Sequence, residues 1–219
     1  MRLTPKIKTR STSFKRINPL YGLVLTGGKS TRMQTDKSRL EYHGQKQSQY
    51  CFDLLSQYCD KVFISNRREQ ESLPGHKGFP QIHDLAAFQN VGPLGGILSA
   101  MAEYPQADWL VLACDLPYVN AATIERLIQK RDRRKIATAY VSVQDGLPEP
   151  LCALYEAKSR TRLLKFFKKG VHCPRQIMLN SNVALIKQKD KSALENVNSP
   201  EEFKRAVARL KGVFKHQRS

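Results

Sequence analysis

Apolar residues recur along the chain in two periods, and the first half predicts strands and helices in alternation. Continuous apolar runs at LYGLVL (20–25), KVFISN (61–66) and DWLVLACD (108–115) have the length of buried strands. Between them, residues 49–58 and 90–105 place apolar side chains at helical spacing, the second with a proline near its first turn. The stretch from about 70 to 90 is rich in Pro, Gly and His and predicts a loop.

The second half continues the alternation. Residues 121–131 predict a helix, and the runs IATAYVSV (136–143) and LCALY (151–155) predict strands on either side of a turn. KSRTRLLKFFKKG predicts an amphipathic helix closed by Gly170 at its C′ position, and NVALI (182–186) a further short strand.

The last helix carries a start signal of its own. In NVNSPEEF, Ser199 is placed to be the N-cap, with Pro200 at the first helical position and Glu202 completing a capping box. Strands alternating with helices over the whole chain predict an α/β fold: a three-layer, doubly wound, mostly parallel sheet of Rossmann-like type in a single domain.

Composition is that of a folded chain with one core. The 219 residues are 41% hydrophobic and 26% charged, and no apolar run approaches the roughly 20 residues of a membrane helix. The five cysteines are odd in number, scattered and without a C-x-x-C pair, so the sequence indicates neither a disulfide framework nor a zinc site. A soluble protein of the reducing cytoplasm, without membrane contact, is the expectation.

The formal charge of +18 is unevenly spread. Residues 1–18 hold six Lys or Arg and no acid, and we expect a flexible basic leader there, a domain over 19–211 and a basic tail over 212–219. Such a surface attracts polyanions of any kind. Aromatic residues are not interleaved with the charge as in stacking sites, so the pattern favours a solvated surface over a nucleic-acid site.

The segment LTGGKSTRMQTDK (25–37) follows the first predicted strand, and its GKST invites comparison with a P-loop. A P-loop would need glycine at position 23, which is Leu23, so that interpretation fails on spacing. The segment does offer Gly27 and Gly28, whose backbone can approach an anion closely, and beyond them the cations Arg32 and Lys37. We expect a phosphate site here, since ligands collect at the carboxyl ends of strands in such sheets.

This segment resembles the L-A-G-G-x-S-x-R-M-G-x-D-K signature of nucleotidyltransferases, specifically the molybdenum cofactor guanylyltransferases. The similarity continues in family order through GPLGGILSAM (92–101), CDLPYV (114–119), EPLCALY (149–155) and NVNSPEE (196–202). The sequence departs from the pattern at Thr26, at Gln34 and in the GQK stretch (44–46), where the family often has G-K-P.

The resemblance implies that the guanylyl group of GTP is joined to the phosphate of molybdopterin with release of pyrophosphate, in a Mg²⁺-dependent reaction. The substrate's own phosphate is then the nucleophile, which agrees with five histidines that form no recognisable catalytic pair and are expected on the surface or in loops. Other molybdenum-cofactor biosynthesis proteins and acceptor molybdoenzymes are candidate partners.

Site residues follow from the resemblance position by position. It implies catalytic roles for Arg32, Lys37 and Asp115, with Asp115 as the metal ligand. Asn198 is expected to complete the metal side, and the acceptor to lie near Pro150, Asn196 and Asn198. The implied nucleotide-binding residues are Leu25, Thr26, Gly27, Gly28, Lys37, Asn66 (or its neighbour Ser65), Asp84, Asp115 and Asn198.

Two alternatives stay open at the level of sequence. One is a related transferase that uses CTP with molybdopterin, or an NTP with a sugar phosphate, because the loop signature is shared widely among such enzymes. The other is a non-catalytic module that binds nucleotides or nucleic acid through its basic surface.

Overall fold

The computed structural model describes residues 18–26 and 40–216 of the chain. Five positions that the sequence analysis singles out lie outside the described residues: Gly27, Gly28, Arg32, Gln34 and Lys37. The architecture below is therefore that of the described part.

One seven-stranded sheet organises the described residues, in the strand order β3-β2-β1-β4-β6-β5-β7. Neighbouring strands pair in parallel except at β6, which runs antiparallel to β4 and β5. The strands are β1 (Leu20–Leu25), β2 (Lys61–Asn66), β3 (Gln81–His83), β4 (Asp108–Ala113), β5 (Ala137–Val141), β6 (Pro148–Tyr155) and β7 (Val183–Lys187).

Helices cover both faces of this sheet, which confirms the three-layer α/β prediction. Helices α2, α4 and α5 pack into the apolar cluster on one face, and α1 and α3 into the cluster on the other. The helices are α1 (Gln47–Ser56), α2 (Pro93–Glu103), α3 (Ala121–Gln129), α4 (Ser159–Phe167), α5 (Pro174–Leu179) and α6 (Pro200–His216).

Strand β4 is central in the sheet and is covered on both faces, and its sequence is a continuous apolar run. Trp109 and Val111 point into the cluster on one face, while Leu110 and Leu112 point into the cluster on the other, and all four are fully buried. Because side chains alternate across a strand, a strand covered on both faces must be apolar at every position.

Most of the predicted elements are confirmed, and β1 and β2 have the bounds that were predicted. The prediction of an unbroken loop over 70–90 was wrong, because the short strand β3 lies within it and pairs with β2. Helix α5 was not predicted from the sequence. Gly170 adopts the expected positive φ, 77°, two residues beyond the C-cap of α4 rather than directly after it.

Helix α6 begins with the predicted capping box. The Ser199 hydroxyl accepts from the Glu202 amide at 3.2 Å, and the Glu202 carboxylate accepts from the Ser199 amide at 3.1 Å. Within the described part of the helix, its apolar stripe packs on a small cluster that contains Tyr42 and Val197, so the helix covers the segment leading into it. The helix runs to His216, past residue 211, where the domain was expected to end.

A buried ionic cluster lies at the start of β4. The Arg131 guanidinium bonds the carboxylates of Asp108 and Glu156, and all three side chains are at most 8% exposed. Asp108 also accepts from the Ala157 amide at 2.8 Å, so the cluster ties β4, the end of β6 and the segment after α3 together. This edge of the sheet is opposite to the one at which β4 ends.

All five cysteines are free thiols. Among the described residues, none of the helices has the length and apolar character needed to cross a lipid bilayer.

Candidate active site

The carboxyl ends of the central strands bring several of the predicted residues to one edge of the sheet. At the end of β1, the Leu25 carbonyl accepts from the Cys114 amide at 3.1 Å. The next residue, Thr26, is buried and donates to the Ser65 carbonyl from its amide at 3.2 Å and from its hydroxyl at 2.8 Å. The chain thus enters the 27–39 segment from a point fixed between β2 and β4.

Asp115 lies in the turn that follows β4, at this same edge, and is partly exposed. Its carbonyl accepts from the Val197 amide at 2.9 Å, which brings the NVN segment (196–198) against the turn although some 80 residues separate the two in sequence. Asn198 is exposed, and its own amide donates to Glu202 at 2.7 Å. Asp115 and Asn198 are therefore on neighbouring segments, and their roles toward a metal stay a prediction.

A second carboxylate, Glu149, stands near Asp115 and was missed by the sequence analysis. Burial raises the pKa of Glu149, the hydrogen bond from the Leu151 amide and the charge of Arg175 lower it, and the charge of Asp115 raises it. The Arg175 guanidinium bridges Glu149 at 3.1 Å and Asp145 at 2.9 Å. In the sequence, only the Glu-Pro that opens EPLCALY draws attention to Glu149. Asp115 and Glu149 come close because β6 pairs antiparallel with β4.

Asn66 lies at the end of β2 with its side chain buried. Its amide nitrogen donates to Gln81 at 2.6 Å and lies 3.0 Å from the imidazole Nδ1 of His76, and its amide oxygen accepts from His83 at 2.8 Å. These bonds tie β2 to β3 and to the preceding turn. A contact between Asn66 and a nucleotide base stays a prediction.

His76 is a loop residue, as expected from the sequence, but its side chain does not face solvent. It lies in the turn before β3 but is fully buried, and its imidazole also contacts the Gln70 carbonyl at 2.9 Å. No periodic pattern of apolar residues in this stretch indicates that burial.

Asp84 follows β3, and its amide donates to the Asn66 carbonyl at 3.1 Å. Burial raises the pKa of Asp84 to about 6, the Arg67 cation lowers it and the Glu69 carboxylate raises it. A partly buried carboxylate that is ionised at neutral pH is suited to accept hydrogen bonds from a base edge that carries two donors.

The amino end of α2 approaches the same edge through its glycines. A Cβ on Gly96 would lie 2.2 Å from the Ser65 hydroxyl, and one on Gly95 would lie 2.3 Å from the Phe88 carbonyl oxygen. Gly92, the N-cap, has φ 64°. The GPLGG sequence therefore lets the first turn of the helix come close to the ends of β1 and β2.

The carboxylate oxygens at this edge suit a hard cation that takes some of its ligands from the protein and the others from a substrate. The described residues contain no group of three or more His, Cys, Asp or Glu side chains that could hold a metal alone. Asp115, with Glu149 nearby, fits Mg²⁺, which binds through one or two carboxylates and takes its remaining ligands from water and substrate phosphates.

The described part of the edge brings together Leu25, Thr26, Ser65, Asn66, Asp115 and the NVN segment, with Asp84 next to Asn66. Pro150, predicted for the acceptor side, directly follows Glu149 in β6, and its carbonyl accepts from the Tyr155 hydroxyl at 3.0 Å. The cations and glycines of the 25–37 loop beyond Thr26 lie outside the described residues. This fold, with a carboxylate turn and a glycine-started helix at one edge, is that of an α/β nucleotidyltransferase.

The chain belongs to the MobA-like NTP transferase family, whose domain model matches residues 22–183. It is 31% identical over 204 residues to a Nostoc protein described as "Probable molybdenum cofactor guanylyltransferase", covering 90% of this chain and 93% of that one.

A second relative is longer. The chain is 41% identical over 185 residues to a Synechocystis protein described as "Molybdenum cofactor biosynthesis bifunctional protein". The match covers 84% of this chain but 53% of that protein, so the chain spans about half the length of this relative.

The fold is shared with a solved structure. The crystal structure of molybdopterin-guanine dinucleotide biosynthesis protein A from Archaeoglobus fulgidus superposes with a TM-score of 0.73 at 23% identity, over 88% of this chain and 99% of that one. At this identity the likeness concerns the fold.

Proposed function

We propose that this protein transfers the guanylyl group of GTP to the terminal phosphate of molybdopterin, with Mg²⁺, and releases pyrophosphate. The observation that carries the proposal is the meeting of the β1 end, the Asp115 turn and the NVN segment at one edge of the sheet. The names of the Nostoc and Synechocystis relatives support the choice of substrates.

The chemistry is a displacement at phosphorus. An oxygen of the molybdopterin phosphate forms a bond to the α-phosphorus of GTP, and the bond from that phosphorus to the bridging oxygen of the β-phosphate breaks. Pyrophosphate carries the electron pair away. Because the substrate supplies the nucleophile, the protein contributes alignment and compensation of charge.

The loop after β1 is the proposed phosphate site. The proposed role of the Gly27 and Gly28 backbone amides is to bind the phosphates. The Arg32 guanidinium is proposed to bind phosphate oxygens in a bidentate manner, and Lys37 to neutralise charge on the leaving pyrophosphate. Thr26, which directly precedes this loop in the chain, is held at the end of β1 by two hydrogen bonds to Ser65.

Asp115 is the proposed ligand for Mg²⁺, with Asn198 beside it. When bound, the ion draws phosphate oxygens together and offsets their negative charge. The base of GTP is recognised by backbone atoms of Leu25, Thr26 and Gly27 and by the Asp84 carboxylate, with Asn66 holding the adjoining backbone of Asp84 in place.

The acceptor side is proposed at the start of β6. The sequence predicts an acceptor site near Pro150, Asn196 and Asn198. We add Arg175 to it, because its side chain is one-third exposed and is held by the carboxylates of Asp145 and Glu149. A guanidinium in such a setting suits the phosphate of the acceptor. The proposed compartment is the cytoplasm, and other molybdenum-cofactor biosynthesis proteins and acceptor molybdoenzymes are proposed partners.

A binding competition separates GTP from other nucleotides. Binding to the folded state alone raises the melting temperature by mass action, so we expect GTP with Mg²⁺ to raise it more than CTP or ATP at equal concentration. A larger effect of CTP would instead favour the related cytidylyl transferase.

Two substitutions test the proposed roles in transfer. Asp115→Ala and Lys37→Ala are each expected to lower guanylyl transfer by about 100-fold or more, the loss typical of a removed transition-state contact. Their circular dichroism spectra and melting temperatures should stay near those of the wild-type protein. Retention of most of the activity in either purified variant would exclude the role given to that residue.

A further inference from the structure

The turn over 115–119 is held by two side chains that the proposed mechanism does not use. His43 donates from Nε2 to the Pro117 carbonyl at 2.9 Å. The Tyr50 hydroxyl donates to the Val119 carbonyl, also at 2.9 Å. Both acceptors are within four residues of Asp115, so both bonds constrain the backbone that carries the proposed metal ligand.

The two donors form one unit. The His43 and Tyr50 rings are stacked, with centroids 3.7 Å apart and planes 12° from parallel. A stacked pair loses little further freedom when each ring also makes a hydrogen bond, so the pair can fix two points of one turn together.

The sequence EYHGQK (41–46) explains how His43 is presented. Glu41 and Lys46 form an antiparallel bridge, and Gly44 between them has φ 75°, a conformation that favours glycine. The chain therefore reverses tightly at His43 before α1 begins, and Tyr50 lies on the first turn of that helix. This is also the stretch in which the sequence departs from the G-K-P pattern.

Residues 41–46 follow the proposed phosphate loop in the chain and contact the turn that carries Asp115. His43 comes six residues after Lys37 in the chain, and its partner Pro117 comes two residues after Asp115. The neighbouring Tyr42 is buried, and the charge of Asp115 contributes, after burial, to raising the pKa of the Tyr42 hydroxyl. The residues that follow the phosphate loop therefore pack directly against the carboxylate turn.

We propose that His43 and Tyr50 are positioning residues, which hold the turn that carries Asp115 in one position at the end of β4. The inference rests on the proposed function, because it assigns Asp115 its metal. Loss of either bond lets the carboxylate shift, and a displacement of about 1 Å at a reacting centre costs up to about 100-fold in rate.

Three variants and one matched control test this inference. Tyr50→Phe keeps the ring stack and removes only the donor, and His43→Ala removes both stack and donor. His43→Gln restores a donor of similar reach. The control is Tyr58→Phe, which removes a tyrosine hydroxyl bonded to Glu125 at 3.0 Å on the surface, away from the turn.

Steady-state kinetics should show a fall in kcat that exceeds the rise in KM. We expect kcat to drop about 10-fold in Tyr50→Phe and up to about 100-fold in His43→Ala, while KM for GTP rises only by the Mg²⁺-dependent affinity that is lost. His43→Gln should recover part of the loss. Tyr58→Phe should match the wild-type protein.

A binding measurement separates positioning from a purely structural role. A non-hydrolysable GTP analogue is titrated by calorimetry with Mg²⁺ and again with EDTA. In Tyr50→Phe the gain in affinity from Mg²⁺ should shrink, while affinity in EDTA stays at the wild-type value. Equal weakening in both conditions, or no change in either, would overturn the proposal.

The double variant makes the dependence on Asp115 explicit. In an Asp115→Ala background, Tyr50→Phe should cause no further loss of activity or of Mg²⁺-dependent binding, because the group it positions is gone. An additive loss would contradict the proposal. The calorimetric test also stands if the wild-type protein transfers no guanylyl group, in which case the proposed function fails separately.

Discussion

Three carboxylates at or near one edge of the sheet have different surroundings, and these surroundings separate their roles. Asp115 is partly exposed on a turn after β4, where it can meet a cation and solvent. Glu149 is buried and bonded to Arg175, so it orients a cation of the protein itself. Asp84 is half-buried, and burial raises its pKa to about 6. From these surroundings, the proposed roles are metal binding for Asp115, orientation of Arg175 for Glu149, and recognition of the base for Asp84.

Ionisation of Asp84 gives a pH test of base recognition. The guanine edge presents N1–H and the 2-amino group, both donors, so only the ionised carboxylate accepts from both. GTP affinity should therefore weaken by up to about tenfold per pH unit below about pH 6 and be constant above pH 7. Calorimetric titrations from pH 5 to 8 measure this.

The variant Asp84→Asn is the control for that profile. Its affinity for GTP should be lower and should no longer change through pH 6. Xanthosine triphosphate should bind it better than GTP, because the 2-oxo group accepts from the Asn amide. A profile identical to that of the wild-type protein would show that Asp84 does not read the base.

Stability of the unliganded protein should depend on Asp84 with a defined sign. The folded-state pKa is raised above the unfolded value of about 4, so the folded state binds the proton more tightly. The contribution of this group is present below about pH 4 and is lost as pH rises through about 6. Urea unfolding should show Asp84→Asn more stable relative to wild type at pH 7 than at pH 4, and an equal difference at both would contradict this.

At the scale of elements, the site depends on how closely α2 approaches the ends of β1 and β2. That approach is possible because the first turn of α2 contains Gly95 and Gly96, whose missing side chains leave room for Phe88 and Ser65. The hydroxyl of Ser65 can rotate away from an added methyl group, whereas the carbonyl of Phe88 is backbone and cannot. Gly95 is therefore the stricter requirement.

Alanine substitutions at two helical glycines should act in opposite directions. Gly95→Ala forces the 85–88 turn away from α2 and should destabilise the fold by about 1–3 kcal/mol. Gly212→Ala, in α6 with open space around the position, should stabilise it by about 0.5–1 kcal/mol. Urea unfolding of both variants measures the difference, and destabilisation of equal size in both would refute the steric argument.

The ionic cluster at the far edge should matter for stability and not for chemistry. Arg131→Ala leaves two buried carboxylates without their main partner and should cost about 3–5 kcal/mol. The exposed pair of Arg134 with Asp132 provides the control, since Arg134→Ala should leave stability essentially unchanged. Below the melting temperature, kcat of Arg131→Ala should equal that of wild type, and a large fall there would link this edge to the site.

The sequence was sufficient for the long elements and insufficient for short ones. Strands β1, β2 and β4 were predictable because both faces of each are covered, which leaves a continuous apolar run. Strand β3, with three residues, and helix α5, with six, are too short to show a period. The contact of Arg175 with Glu149 joins residues 26 apart, and Arg175 lies in the helix α5 that was not predicted.

At the scale of the whole molecule, the charge of +18 acts on every polyanion. It favours capture of two anionic substrates, and it also produces non-specific binding to nucleic acid at low salt. The two effects differ in their response to salt. Binding of nucleic acid through many phosphate contacts gives an affinity that falls steeply as the salt concentration rises. The affinity for GTP should fall less, because a metal ion and contacts to the base also contribute to it.

This difference yields a prediction that separates the enzyme from a nucleic-acid-binding module. Between 50 and 200 mM salt, affinity for duplex DNA should fall by about 1,000-fold or more if six to ten phosphates are contacted. Affinity for GTP with Mg²⁺ should change far less, and only the latter should be lost in Asp115→Ala. Fluorescence anisotropy with labelled duplex and labelled GTP measures both, and duplex binding that withstands salt would favour the module.

Nucleotidyl transfer at the edge that carries Asp115 and the NVN segment can be followed by incubating the protein with Mg²⁺, molybdopterin and GTP labelled at the α-phosphate. We expect label to appear in a molybdopterin product, with one pyrophosphate released per label transferred, and Asp115→Ala to abolish both. Pyrophosphate release without labelled product, preferential use of labelled CTP, or full activity in Asp115→Ala would contradict this expectation.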